Sequence, residues 1–151
     1  MKKIHPLVSI CCLTYNHEKY IKEALDSFLA QKTNFQFEIV IHDDVSTDQT
    51  TNIIKEYQKK FANIQILLPK ENIDSKGEKI YPSLFEEAKG KYIALCDGDD
   101  YWIDPLKLQK QFDFMEQHPN CSLITTDALL LDDKTHRFHP SPTVLHKCQY
   151  V

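Results

Sequence analysis

Glycine is scarce: there are three in 151 residues, Gly77, Gly90 and Gly98. Neither a P-loop nor a dinucleotide fingerprint can be built from them, so any phosphate bound here has to be held by side chains or by a cation. Cysteine pairing is also sparse. The five cysteines stand singly or as the adjacent Cys11-Cys12, with no Cys-x-x-Cys spacing, and are expected to be buried free thiols of a reducing compartment. No apolar run reaches the length of a transmembrane helix, and the start, Met-Lys-Lys-Ile-His-Pro, lacks the apolar segment of a signal peptide, so the expected location is cytoplasmic. A net charge of -4 with mixed signs argues against nucleic acid as a bulk electrostatic partner. The seven histidines show no metal-ligand periodicity, and none is expected to be a ligand. No nucleophile motif appears around Ser9 or Ser46, and no cysteine is visibly paired with a histidine, which disfavours covalent catalysis.

What is present is a repeating pattern. Four apolar runs, Leu7 to Leu13, Phe37 to Ile41, Ile64 to Leu68 and Tyr92 to Cys96, are each followed by a polar loop and a segment with helical spacing. Near-continuous apolar strands are those covered on both faces, so the expected fold is α/β with a mostly parallel central sheet flanked by helices on both faces. The helical stripes are Ile21-Ala24-Leu25-Phe28, Ile53-Ile54-Tyr57-Phe61, Ile80-Leu84-Ala88 and Leu108-Phe112-Met115. Asn16 is expected to cap the first helix and Ser46 or Thr47 the second, with Asp48 in its first turn, while Asp104-Pro105 opens the fourth. A fifth strand is expected over Ser122 to Thr126. Residues 134–151 show no periodicity and read as a tail or an interrupted element.

The chemistry concentrates where Tyr92 to Cys96 runs into Asp97-Gly98-Asp99-Asp100, three carboxylates within four residues. Such a cluster is relieved by a hard divalent cation, or is a solvated acidic turn before a helix. In open parallel sheets, ligands bind in the crevice beyond the carboxyl ends of the strands. Those ends carry Thr14-Tyr15-Asn16, His42-Asp43-Asp44, Pro69-Lys70-Glu71-Asn72 and the acidic cluster, so acids gather on one rim. Lys76 and Lys79, flanking Gly77, are the basic side chains available for phosphate.

Three segments then resemble the nucleotide-sugar-binding half of the inverting family 2 glycosyltransferases. They are Val8-Ser9-Ile10-Cys11-Cys12-Leu13-Thr14-Tyr15-Asn16, Glu38 to Thr50 with its Asp43-Asp44-Val45-Ser46-Thr47-Asp48-Gln49-Thr50, and Gly90 to Asp100. The match covers roughly residues 7–126. It implies a GT-A, Rossmann-like fold, a nucleotide-diphosphate sugar as donor, in the first place a UDP-sugar, and Mn2+ or Mg2+ as cofactor. Thr14 and Asp44, with Asp43 beside them, would contact the base, and Tyr15, Asn16, Lys76 and Gly98 belong to the same donor-binding set. Asp97 would lie near ribose and metal, Asp99 would be the principal metal ligand of the family's Asp-x-Asp motif, and Asp100 is a second candidate ligand. An acceptor glycan or glycolipid, inversion at the anomeric carbon, and a role in polysaccharide or glycoconjugate synthesis follow from the same resemblance. Membrane-surface association of the full-length protein and a homo-oligomer are compatible with it.

Two departures stand out. Val45 and Gln49 occupy positions where the family signature usually has glycine. The catalytic base is expected in an acceptor-binding half beyond Val151, so residues 1–133 are read as the donor-binding domain and 134–151 as a tail or the start of that region. The rival readings are a nucleotidyltransferase, which lacks its Gly-rich loop here, a receiver domain, whose acids would sit at other strand ends, and a non-catalytic binding or assembly module.

Overall fold

The computed structural model describes residues 5–72, 80–132, 134–135, 137–140 and 149–150. Lys76, Gly77 and Lys79 lie outside them. The chain forms two compact units, Met1–Gln109 and Lys110–Val151.

The first unit holds β1 (Val8–Thr14), α1 (Ile21–Leu29), β2 (Phe37–Asp43), α2 (Thr50–Lys60), β3 (Ile64–Leu67), α3 (Ile80–Glu87) and β4 (Tyr92–Leu95). The strands make one parallel sheet in the order β3-β2-β1-β4. Both faces of β1 are buried, as its unbroken apolar run requires. Cys11 and Val40 are partners in the β1–β2 register and pack with Leu84 of α3, Leu67 and Ala88. Their chain neighbours Ile10, Cys12, Ile39 and Ile41 therefore point to the other face, where they are fully buried. Right-handed crossovers put α1 and α2 on that face, and the return from β3 to β4 puts α3 on the first. The amphipathic stripes read from the sequence are the faces used: α1 buries Ile21, Ala24, Leu25 and Phe28, α2 buries Ile54, and α3 buries Ile80 and Leu84. Each such large side chain contributes about 1.5–3 kcal/mol by leaving water. Pro82 sits in the first turn of α3, where a missing N–H costs nothing.

Close approach rather than turn geometry explains Gly90. A Cβ there would lie 2.5 Å from the Ser9 backbone nitrogen, and the Gly90 N–H donates to Ser9 Oγ at 2.8 Å. The fourth helix, α4 (Lys107–Gln117), begins in this unit. Gln31, buried after α1, accepts the Leu108 N–H at 3.0 Å and donates to the Asp104 carbonyl at 2.9 Å, which satisfies an orphan donor of the helix start.

The second unit departs from expectation. The expected strand over Ser122 to Thr126 is a three-residue β5 (Cys121–Leu123), and it pairs antiparallel with β8 (Gln149–Tyr150) in a separate two-stranded sheet. A hairpin of β6 (Leu129–Asp132) and β7 (Arg137–Pro140) forms another. β7 and β8 fall where no periodicity shows, because strands this short carry too few alternations to read. Cys11, Cys12 and Cys96 are buried free thiols as expected, whereas Cys121 is disulfide-bonded.

The helix caps are also different. Asn16 adopts φ 56° and does not cap α1, whose N-cap position is Tyr20 without a side-chain bond. Ser46 and Thr47 precede the start of α2 by several residues, and the Thr50 N–H is taken by Asp48 Oδ1 at 2.9 Å. Val45 has φ 63°, a left-handed conformation that a β-branched residue adopts at a cost of about 1–3 kcal/mol. Val45→Gly is expected to stabilise the protein by about 1 kcal/mol, the relief of strain outweighing the added chain entropy of glycine. Urea denaturation measures it; a variant less stable than the parent contradicts the strain.

Candidate functional site

β1 is where the strand order reverses, so the crevice beyond the carboxyl ends of β1 and β4 is the topological switch point. Two backbone bonds hang the acidic loops from the last residues of β1. The Asp44 N–H donates to the Thr14 carbonyl at 3.0 Å, and the Gly98 N–H to the Leu13 carbonyl at 2.8 Å. The β1–α1 and β2–α2 loops are then laced together. Asn16 N–H donates to Ser46 Oγ at 2.9 Å, Thr47 N–H to Asn16 Oδ1 at 2.8 Å, Glu18 N–H to Asp48 Oδ2 at 3.1 Å and Gln49 N–H to Glu18 Oε2 at 2.9 Å. This explains the displaced caps: the side chains suited to capping are used in the exchange between loops.

The two acids ending β2 have different surroundings. Asp43 is fully buried, and both its oxygens are taken, one by the Ser46 N–H at 3.2 Å and the Ser46 hydroxyl, the other by the Thr51 hydroxyl. It braces the loop from inside. Asp44 is also buried, with its carbonyl accepting from Asn72 Nδ2 at 2.8 Å and its Oδ1 3.8 Å from His42 Nε2. Burial pushes the His42 pKa down, against the pull of Asp44, so this imidazole is neutral at physiological pH. Tyr15, by contrast, is 47% exposed beside Thr14.

The acidic loop is electrostatically unfavourable as it stands. Burial and then the charges of Asp99 and Asp100 push the Asp97 carboxyl above the usual range; burial and then Asp99 do the same to Asp100. Tyr81 of α3 hydrogen-bonds Asp97, and its hydroxyl pKa is raised, by burial first and then by that carboxylate. Asp99 extends furthest into solvent, its side chain 52% exposed, with Oδ2 3.8 Å from His17 Nε2. Beneath it Gly98 packs so tightly that a Cβ would meet Thr14 Oγ1 at 2.7 Å and His17 Nδ1 at 3.0 Å. Both of those polar atoms are buried without a hydrogen-bond partner.

Among the described residues, no three acidic, histidine or cysteine side chains already converge on one ion position. The donor set nevertheless fits a hard divalent cation: oxygen ligands only, on adjacent loop positions, with mutual repulsion that a cation would relieve. The structure thus brings Thr14, Asp44, Asp97, Gly98 and Asp99 to one rim, turns Asp43 and Asn16 to bracing the loops, and leaves Tyr15 open beside them. Sequence reasoning missed His17, His42 and Tyr81, since neither a lone histidine nor a helix tyrosine carries a spacing signal.

The arrangement is that of a known class. The chain matches the family Glycosyl transferase family 2 over residues 9–142. It is 44% identical over 117 residues to the uncharacterized protein Rv1520 of Mycobacterium tuberculosis, covering 77% of this chain and 33% of that one. Among solved structures, Staphylococcus aureus TarS 1–349 in complex with UDP-GlcNAc is 34% identical, with a TM-score of 0.63 over 74% of this chain and 32% of that one. A mannosyltransferase from Pyrobaculum calidifontis, in complex with GDP-Man and Mn2+, shares the fold with a TM-score of 0.64 at 18% identity, over 83% of this chain and 37% of that one. The chain belongs to glycosyl transferase family 2, and its parallel sheet with flanking helices is the nucleotide-sugar-binding part of a GT-A fold. It spans about a third of the length of Rv1520.

The repulsion in the acidic loop has a measurable sign. A carboxyl whose pKa is raised on folding destabilises the native state above that raised value, and the penalty vanishes below the ordinary value of 3.8. Asp100→Asn is therefore expected to raise the stability of the cation-free protein near neutrality, by less than about 1 kcal/mol because the group is partly solvated. The gain should disappear as the pH falls below the carboxylate range. Denaturant titrations at several pH values measure it; a pH-independent effect, or a loss near neutrality, contradicts the repulsion.

Proposed function

We propose that this chain is the donor-binding part of a glycosyltransferase that takes a nucleotide-diphosphate sugar, a UDP-sugar in the first instance, and passes the sugar to an acceptor hydroxyl. The observation that carries this reading is the convergence of Thr14, Asp44, Asp97 and Asp99 at the β1/β4 switch point, in a chain 34% identical to a protein solved with UDP-GlcNAc. In this reading the base lies against Thr14 and Asp44, with Tyr15 available to cover its face, and Asp97 lies under the ribose.

Asp99, with Asp97 or Asp100, would hold Mn2+ or Mg2+ beside the diphosphate. When bound, such a cation supplies Lewis-acid stabilisation of the charge that builds on the leaving diphosphate. The chain's own contribution is orientation: the β1 carbonyls set the two acidic loops, the Asp43 brace holds the base-facing loop, and the half-buried Asp97 keeps water from one side of the donor. Direct displacement by an acceptor hydroxyl, with inversion, needs a base that we place outside residues 1–133. An acceptor glycan or glycolipid in cell-surface polysaccharide synthesis is the substrate class that fits, by analogy with the poly(ribitol-phosphate) β-N-acetylglucosaminyltransferase TarS of Staphylococcus aureus. Since the chain spans a third of its relative Rv1520, the isolated piece is expected to bind donor with little or no transfer.

Calorimetry with UDP tests the reading. Binding is expected with Mn2+ and at least tenfold weaker without it, a difference of about 1.4 kcal/mol. Asp99→Ala should remove the cation's effect while leaving the fold intact. Absent or metal-independent binding of UDP by the parent protein contradicts the proposal.

A further inference from the structure

His17 is the side chain on this rim that the donor-binding account leaves without a role. It lies in the loop from β1 to α1, and its carbonyl accepts the N–H groups of Tyr20 and Ile21, each at 2.9 Å, so the residue is fixed at the helix start. Its ring spans two loops. Nδ1 is buried without a partner and faces the place where Gly98 packs on Thr14, while Nε2 stands 3.8 Å from Asp99 Oδ2. Thr14 Oγ1, also buried and unpartnered, borders the same place: both atoms lie within 3.0 Å of the position a Gly98 Cβ would take. A buried hydroxyl donor and a buried imidazole nitrogen side by side are complementary, and any side chain at 98 would force them apart.

Resting on the donor-binding reading, we propose that His17 is a positioning residue for Asp99. The Thr14 hydroxyl serves Nδ1, which leaves the neutral ring's proton on Nε2, the nitrogen turned to the Asp99 carboxylate. Asp99 is half-exposed on a loop and otherwise has rotamers to lose on engaging a cation. A shift of about 1 Å brings Nε2–H and Oδ2 to hydrogen-bond length and holds the carboxylate with its other oxygen toward the diphosphate. Outer partners of this kind orient metal-binding carboxylates, and their loss weakens metal binding about 10–100-fold. His17 is not itself a ligand, because Nδ1 is buried and Nε2 is committed to the carboxylate.

Three variants of the 151-residue chain separate this role from mere packing. Glutamine places an amide nitrogen near the Nε2 position, and asparagine reaches only the Nδ1 position. Mn2+ affinity is read by titrating the metal alone, through water-proton relaxation, and again with UDP by calorimetry. His17→Ala and His17→Asn are expected to need about tenfold more Mn2+, and His17→Gln to recover most of the loss. Melting of the cation-free proteins should stay within about 2 °C of the parent. Equal Mn2+ affinity in the parent and His17→Ala, or an equal loss in all three variants, overturns the proposal. Independently of any ligand, long-range 1H–15N correlation on the neutral ring should show the Nε2–H tautomer, and an Nδ1–H tautomer overturns the proposal. If the parent binds no UDP in the presence of Mn2+, the donor reading fails and the tautomer alone decides the place of His17.

Discussion

Two carbonyls at the end of β1 organise the functional rim. Leu13 takes the Gly98 N–H and Thr14 takes the Asp44 N–H, so a central strand buried on both faces sets the spacing between the loop that ends β2 and the loop that follows β4. This is a backbone constraint and tolerates varied side chains. It also demands a buried platform, which the Cys11-Val40-Leu84 layer and the Ile10-Ile39-Ile41 layer provide from opposite faces. A shift of β1 by one residue would turn Thr14 away from the crevice and Leu13 into it.

On that platform the acids divide by environment. Asp43 is buried and satisfied within its own loop, and so serves structure. Asp97, Asp99 and Asp100 raise one another's cost of ionisation or stand in solvent, and nothing among the described side chains offsets their combined charge at close range. Sites that hold such unfavourable charge are where proteins depart from their own folding preferences in favour of binding. A cation with a diphosphate resolves the imbalance from outside.

Much of the first unit was legible from residue order, because fully covered parallel strands read as apolar runs and their helices as stripes, and these patterns are set by burial. The rim was legible for the same reason: once the strands were placed, Thr14, Asp44 and Asp97 had to fall at their carboxyl ends. What escaped was decided by tertiary contact. Ser46 and Thr47 look like helix caps locally but are drawn into bonds with Asp43 and Asn16. Val45 keeps the left-handed backbone of a glycine position without being one. His17 and His42 matter through what they face across a loop, which no spacing records, and β7 and β8 are too short to show alternation.

The claim on which the account rests is spatial, and a crystal structure of this chain with UDP and Mn2+ tests it most directly. The account predicts the base between Thr14 and Asp44, the ion on the Asp99 carboxylate, and the diphosphate spanning the carboxyl ends of β1 and β4. Nucleotide bound on another face, or an ion held away from Asp97, Asp99 and Asp100, would contradict it.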